Sequence, residues 1–137
     1  MKTNNLPVKN IRTDLLYPEL SYKIIGALFE VFNKLGQGYL EKYYQRAIAI
    51  SLKESGLKFK EQVYAPLIFK DVKIGKCFFD FLVEDKIVLE LKTGDRFSKK
   101  DIGQIHSYLK VNNLQLGLLV NFTSQGVKFK RIINTKN

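Results

Sequence analysis

The sequence predicts an α/β fold with a mixed sheet, and three observations carry that expectation. Residues 18–54 repeat apolar side chains every three or four positions, the spacing of amphipathic helices. Residues 57–92 change to alternation, the spacing of strands. One further helical stretch then precedes two last strand-like runs, so that helices and strands interleave along 137 residues, a length for one domain with a real core.

Residues 1–16 are polar and expected to be a flexible segment beside a domain spanning 17–137. Pro18 is tolerated at a first helical position and Glu19 suits a first turn; Leu20, Ile24, Leu28, Val31, Phe32 and Leu35 then trace one apolar face as far as Gly36. After the break at Gln37 and Gly38, a second helix is expected from about Tyr39 to Glu54, with Leu40, Tyr44, Ile48 and Leu52 on one side and Gly56 as C-cap. "LKFKEQVYAPLIF" alternates up to Val63 and meets Pro66, which makes it an edge strand or a kinked one. "KCFFDFLV" and "IVLELK" flank Glu84-Asp85-Lys86 as a tight hairpin. "SKKDIGQIHSYLKVNN" is a helix with Ser98 as its cap. "LQLGLLVNF" is a buried strand with a close-packing glycine, and "GVKFKRII" alternates as the last strand.

Composition narrows the function classes. The longest apolar runs, such as "LGLLV", are too short to span a bilayer, and "MKTNNLPVKN" holds no apolar signal region, so a cytoplasmic location is expected. Cys77 is the only cysteine, which excludes an internal disulfide and a cysteine-based zinc site; it is expected to be a buried, inert thiol. Lys and Arg number 23 against 13 Asp and Glu, a net charge of +10 that favours polyanionic partners, nucleic acid first and anionic membrane surfaces second. A basic amphipathic helix of the kind that lies on membranes is lacking, which leaves membrane binding with charge alone behind it.

The chemistry concentrates in "DFLVEDKIVLELK", residues 80–92. With an apex at 84–86, Val83 faces Ile87 and Asp80 falls directly opposite Glu90, while Lys92 points the same way as Glu90. Phe79, Phe81, Val83, Ile87, Leu89 and Leu91 are then expected on the other, core-facing side. Two opposed carboxylates repel by about 0.2–1 kcal/mol even when exposed, and burial adds to that. A divalent cation between them removes the conflict, and hard oxygen donors with room for water suit Mg²⁺ or Mn²⁺. Lys92 would then orient or help deprotonate the attacking water and stabilise charge on a phosphate. The plain alternative is a solvated hairpin face on which Lys92 neutralises Glu90.

Asp80 followed by Glu90-Leu91-Lys92 resembles the D…ExK signature of the PD-(D/E)XK nuclease superfamily, with Phe79 in place of the motif's proline. "GYLEKYY", with Gly38, Glu41 and Tyr44, is similar to the signature that names the GxxExxY family within that superfamily. "IIGALFEVFNKLGQG", "GQIHSYLK" and "GLLVNF" resemble its first helix, a later helix and a strand, so that the likeness covers roughly 18–133 in order. The resemblance implies an αβββαβ nuclease-like core with an extra N-terminal helix. It implies that Asp80, Glu90 and Glu41 bind the metal, that Lys92 serves the attacking water, and that Gln104 and Tyr108 support the site or touch a nucleic-acid backbone. The implied activity is metal-dependent hydrolysis of phosphodiester bonds, with DNA as the expected partner and a homodimer as the form that would grip a duplex.

One departure bears on catalysis. Family members commonly carry His in the first helix where this chain has Phe32. His106 is no replacement, because it points roughly 160° away from Gln104 or Tyr108 on an ideal helix and is expected at the surface. The second reading is therefore a catalytically silent nucleic-acid-binding or protein-docking module that keeps the fold. Gly36 and Gly38 form a lone G-x-G between helices, which excludes a dinucleotide fingerprint; no phosphate-loop G-K-S/T occurs, and nothing singles out a nucleophile for a Ser-His-Asp site.

Overall fold

The computed structural model describes residues 16–135, so the polar segment expected at 1–16 lies, apart from Leu16, outside the described residues. Helix α1 (Pro18–Leu35) starts on Pro18 as its first residue and stops where Gly36 takes φ 77°, a left-handed value that a side chain would resist. Helix α2 is Glu41–Glu54, beginning two residues later than the periodicity suggests because Leu40 is still extended as the N-cap. The strands are β1 (Phe59–Phe69), β2 (Val72–Val83) and β3 (Ile87–Thr93), followed by helix α3 (Lys99–Val111) and by β4 (Leu116–Thr123) and β5 (Gly126–Ile133). The Ser98 hydroxyl caps α3 as expected, accepting from the N–H groups of Lys100 and Asp101.

The five strands form one mixed sheet in the order β1-β2-β3-β4-β5. All neighbours are antiparallel except β3 and β4, which run parallel and are joined through α3. The architecture is thus mixed α/β with helices on both faces. Ile24, Leu28, Tyr44, Ile48 and Leu52 of the helix pair pack against Leu89, Leu91, Leu118 and Val120 on one face. On the other, Ile105 and Leu109 of α3 pack against Leu82, Val88 and Leu119. Strand β4 is buried at every residue, which explains why it reads as a continuous apolar run instead of an alternating one.

Strand β1 is an edge strand that runs through Pro66 to Phe69, as its sequence suggests. Two expectations about β2 need correction. Strand β2, expected from Lys76, instead starts at Val72, closing a hairpin on Lys70 and Asp71, whose φ values of 48° and 65° are those of a two-residue turn. That turn lacks the usual Asn or Gly and so left no mark in the sequence. The second correction concerns Phe79, which was expected beside Phe81 and instead packs on the α3 face with Leu82 and Val88. Gln62 has φ 50°, and its pairing with Asp80 drops out of the ladder between Glu61↔Phe81 and Val63↔Phe79, which resets the alternation at that point.

The glycine of "LGLLV" is required by packing. A Cβ on Gly117 would lie 2.4 Å from a methyl of Ile105, so α3 sits on β4 as closely as it does only because no side chain intervenes. Gly117→Ala is expected to lower stability by about 1–3 kcal/mol, read as a drop in the urea midpoint with the slope of the transition unchanged.

Candidate active site

Asp80, Glu90 and Lys92 meet where β2 and β3 part. The pairs Val83↔Ile87, Leu82↔Val88 and Phe81↔Leu89 are those expected from an apex at 84–86. One step further the backbone pairing stops and side chains take its place. Leu91 N–H donates to Asp80 Oδ2 at 2.7 Å, and Asp80 N–H donates to Glu90 Oε1 at 3.0 Å. The two carboxylates therefore close the gap between the strands and are held by backbone donors at the same time.

The helices add the remaining groups. Gln45 of α2 donates from Nε2 to Asp80 Oδ1 at 2.7 Å, so both oxygens of this 6 % exposed aspartate are engaged. Glu41, one turn earlier on α2, accepts at Oε2 from Thr93 N–H at 3.2 Å. Lys92 Nζ lies 3.6 Å from Glu90 Oε2 and 4.0 Å from Asp101 Oδ1 in the first turn of α3. Four acids from four elements thus surround one lysine.

The charges strain one another. Burial pushes the Glu90 carboxyl up to about 8, the neighbouring Asp80 charge adding to the effect against the bond from Asp80 N–H and the attraction of Lys92. Burial likewise raises Asp80, the Leu91 N–H opposing it. Lys92 shows the opposite balance: burial works against its ammonium, but Glu90, Asp101, Glu41 and Asp80 outweigh burial and hold its pKa above the ordinary lysine value. At neutral pH Lys92 is a charged donor and not a proton acceptor.

Two buried oxygen-donor groups, one of them short of a counter-charge, form the kind of donor set that a hard divalent cation occupies. Asp80 and Glu90 fit such an ion by chemistry and adjacency. Among the described residues no three His, Cys, Asp or Glu side chains are grouped so as to hold a metal, and Glu41 in particular is turned to Thr93.

The sequence profile of the PD-(D/E)XK nuclease superfamily matches residues 18–132. The chain belongs to that superfamily. No curated protein matches it. Among solved structures, the crystal structure of SSO0001 is similar at a TM-score of 0.52 and 20% sequence identity, over 94% of this chain and 63% of that one. The chain therefore spans less than two thirds of that protein's length, and the likeness concerns the fold. An alkaline exonuclease (LHK-Exo) from Laribacter hongkongensis aligns over 98% of this chain and 73% of its own, with 16% identity and a TM-score of 0.47.

Around this PD-(D/E)XK-type hairpin the other sequence candidates take varied positions. Tyr108 lies on α3 with its ring 5.1 Å from that of Phe79, packed against the core, and burial raises its hydroxyl pKa. Gln104, one turn before it, is half-buried and makes no side-chain hydrogen bond among the described residues. His106 is half-buried on the same helix and takes no part in the contacts around Asp80. Phe32 packs edge-on to Phe122, a residue paired with Thr93 in the sheet, so it fills space near the Glu41 end of the site with an apolar ring.

Gln45 and Asp101 escaped the sequence reading. Gln45 is four residues after Glu41, a shared helix face that "EKYYQ" does display, but nothing local says that this face meets Asp80. Asp101 reads as one more acid at a helix start. Both are brought in by tertiary packing.

The raised carboxyls give a direction to pH dependence. In the fold Glu90 keeps its proton up to about pH 8, whereas the unfolded chain loses it near the ordinary glutamate value of 4.5. The folded state binds more protons in that window, so in metal-free buffer stability falls as pH rises through it, by up to about 1.4 kcal/mol per pH unit. Glu90→Gln is expected to flatten this slope and to make the variant more stable than the wild type near pH 8, as measured by urea unfolding with a chelator present.

Proposed function

We propose that this protein is a metal-dependent nuclease of the GxxExxY type that hydrolyses phosphodiester bonds in DNA. The observation that carries the reading is the Asp80–Glu90 pair bridging the split between β2 and β3, with Lys92 beside it. The spacing "GYLEKYY" supports assignment to the GxxExxY group. Asp80 and Glu90 would hold Mg²⁺ or Mn²⁺, and Glu41 would join them by leaving Thr93. A bound divalent cation supplies charge neutralisation at the phosphate and lowers the pKa of water.

The chain's own residues supply the rest. Gln45 fixes the rotamer of Asp80, so that one carboxylate oxygen is aimed while Leu91 N–H anchors the other. Lys92, kept charged by its acidic neighbours, stabilises negative charge that develops on the phosphate and orients the attacking water as a hydrogen-bond donor. Lys92, Asn121 and Lys128 are neighbours across β3, β4 and β5, which sets the backbone of a second lysine about two strand spacings, roughly 10 Å, from that of the first. The row suits a phosphate backbone crossing the sheet end. DNA as substrate, a homodimer that grips a duplex, a single domain over 17–137 and a cytoplasmic location belong to this proposal; no helix among the described residues is long and apolar enough to cross a membrane.

A second reading is favoured by Glu41 and Phe32. With Glu41 held at Thr93 and an apolar ring near it, the protein would bind nucleic acid or a protein through the nuclease fold without cutting.

Cleavage of a labelled DNA separates the two. Under the first reading cleavage requires Mg²⁺ or Mn²⁺, stops on adding chelator, and falls about 10²–10⁴-fold or more in Asp80→Ala and Lys92→Ala. Persistent cleavage in both variants, in preparations free of host nucleases, sinks it; titration calorimetry that finds no cation binding supports the silent module. Gln45→Ala is expected to weaken Mn²⁺ binding about 10–100-fold while the fold is retained, the size of effect seen when a partner of a metal ligand is removed.

A further inference from the structure

The hairpin of β1 and β2 is much longer than the sheet needs. Strand β2 runs from Val72 to Val83, yet β3 pairs with only Phe81, Leu82 and Val83. The remainder of β2 has β1 as its sole strand partner and projects as a two-stranded arm that begins at the catalytic carboxylates. Its surface is unusual for such an arm. Tyr64 and Phe78 face each other across the strands with ring centroids 5.7 Å apart, and remain 46% and 45% exposed. Lys73 Nζ lies 5.4 Å from the Tyr64 ring and Lys76 Nζ 5.9 Å from the Phe78 ring. At the tip Lys70 lies 5.5 Å from the exposed Phe69 ring. Between residues 63 and 79 these three lysines are balanced by Asp71 alone.

Cys77 and Phe79 pack on the α3 face, so Phe78 between them leaves the opposite side of β2, the side from which Gln45 of α2 reaches Asp80. A chain lying across the carboxylates therefore meets the aromatic pair next. The surface alternates flat apolar rings with mobile ammonium groups, and the ligand complementary to both is a strand of planar bases on an anionic backbone. A second copy of the arm fits poorly, since it would set lysine against lysine. An uninterrupted duplex also fits poorly, because its bases are stacked on one another and present no face to a ring.

We propose that the arm is a stacking platform for single-stranded nucleic acid, which makes the substrate of this site a single strand or an unpaired end. The inference rests on the nuclease reading above and narrows its substrate. Bases stack on Tyr64 and Phe78, and Lys73 and Lys76 swing from the rings to the adjacent phosphates. Exposed contacts between a lysine and a ring are weak enough for that exchange.

The test uses the full chain in chelator, so that binding is read without cutting. Fluorescence anisotropy compares a labelled oligothymidylate with a blunt duplex of the same length. The wild type is expected to prefer the single strand, and Tyr64→Ala and Phe78→Ala are each expected to weaken that binding about 5- to 150-fold. Lys73→Glu with Lys76→Glu should lower the salt dependence, whereas Tyr22→Ala on the exposed face of α1 should change nothing. The chain has no Trp, so Tyr64→Trp provides a single reporter whose emission oligothymidylate should quench, a readout that stands even if the alanine variants fold poorly. Undiminished binding by both alanine variants, equal binding of the duplex, or a reporter that responds to anionic phospholipid vesicles and not to the oligonucleotide overturns the proposal. Failure of the arm alone leaves metal-dependent cleavage sensitive to Asp80→Ala. Failure of the nuclease reading alone leaves oligothymidylate binding without cleavage.

Discussion

Two backbone N–H groups at the split between β2 and β3 are satisfied by carboxylates in place of carbonyls. Leu91 N–H is bound by Asp80, and Asp80 N–H by Glu90. A strand boundary inside a protein ordinarily leaves such donors to water or to a loop. Here the substitution lets β2 swing away from β3 while the acidic pair stays buried and fixed. The cost is electrostatic, since burial raises both carboxyls and Glu90 reaches about 8. A proton on Glu90 and the Lys92 ammonium relieve that cost in the structure as it stands.

The helices serve that pair from opposite faces of the sheet. Helix α2 packs Ile48 and Leu52 into one core and thereby sets Gln45 and Glu41 beside the split. Helix α3 packs Ile105 and Leu109 onto Gly117 and Val88, which brings Asp101 to Lys92. The close approach at Gly117 is therefore more than a packing detail, because displacing α3 moves the acid that helps keep Lys92 charged. The Asn121 side chain steadies the intervening loop, donating to the carbonyls of Gly94 at 3.1 Å and Arg96 at 2.6 Å.

Charge is unevenly divided. The chain as a whole carries +10, yet Glu41, Asp80, Glu90 and Asp101 cluster around one lysine. Exposed basic residues are spread over the rest of the surface, on β5 and the β1–β2 arm (Lys128, Lys130, Lys73 and Lys76) and on the helices (Lys23, Lys42, Arg46, Lys53, Lys99 and Lys100). An acidic centre inside a basic surface is the charge pattern that the proposed cleavage of a polyanion would use.

Much of this protein follows from local patterning. The extent of α1, the Ser98 cap of α3, the order of elements and the hairpin register at 84–86 come from apolar periods and turn positions, because short-range sterics and solvent exposure determine them. That register brings Asp80 next to Glu90, so their adjacency is visible in thirteen residues of sequence, although the pairing itself stops one step short of them. Tertiary structure decided the rest. The turn at Lys70 and Asp71 carries no glycine to announce it, and the reversal of Phe79 depends on a break in pairing with a strand distant along the chain. Gln45 and Asp101 reach the carboxylates only because two helices dock on opposite faces of one sheet. Local sequence encodes which way a side chain leaves its own element; which elements then share a boundary is set by burial of the two cores, and burial is a property of the whole chain.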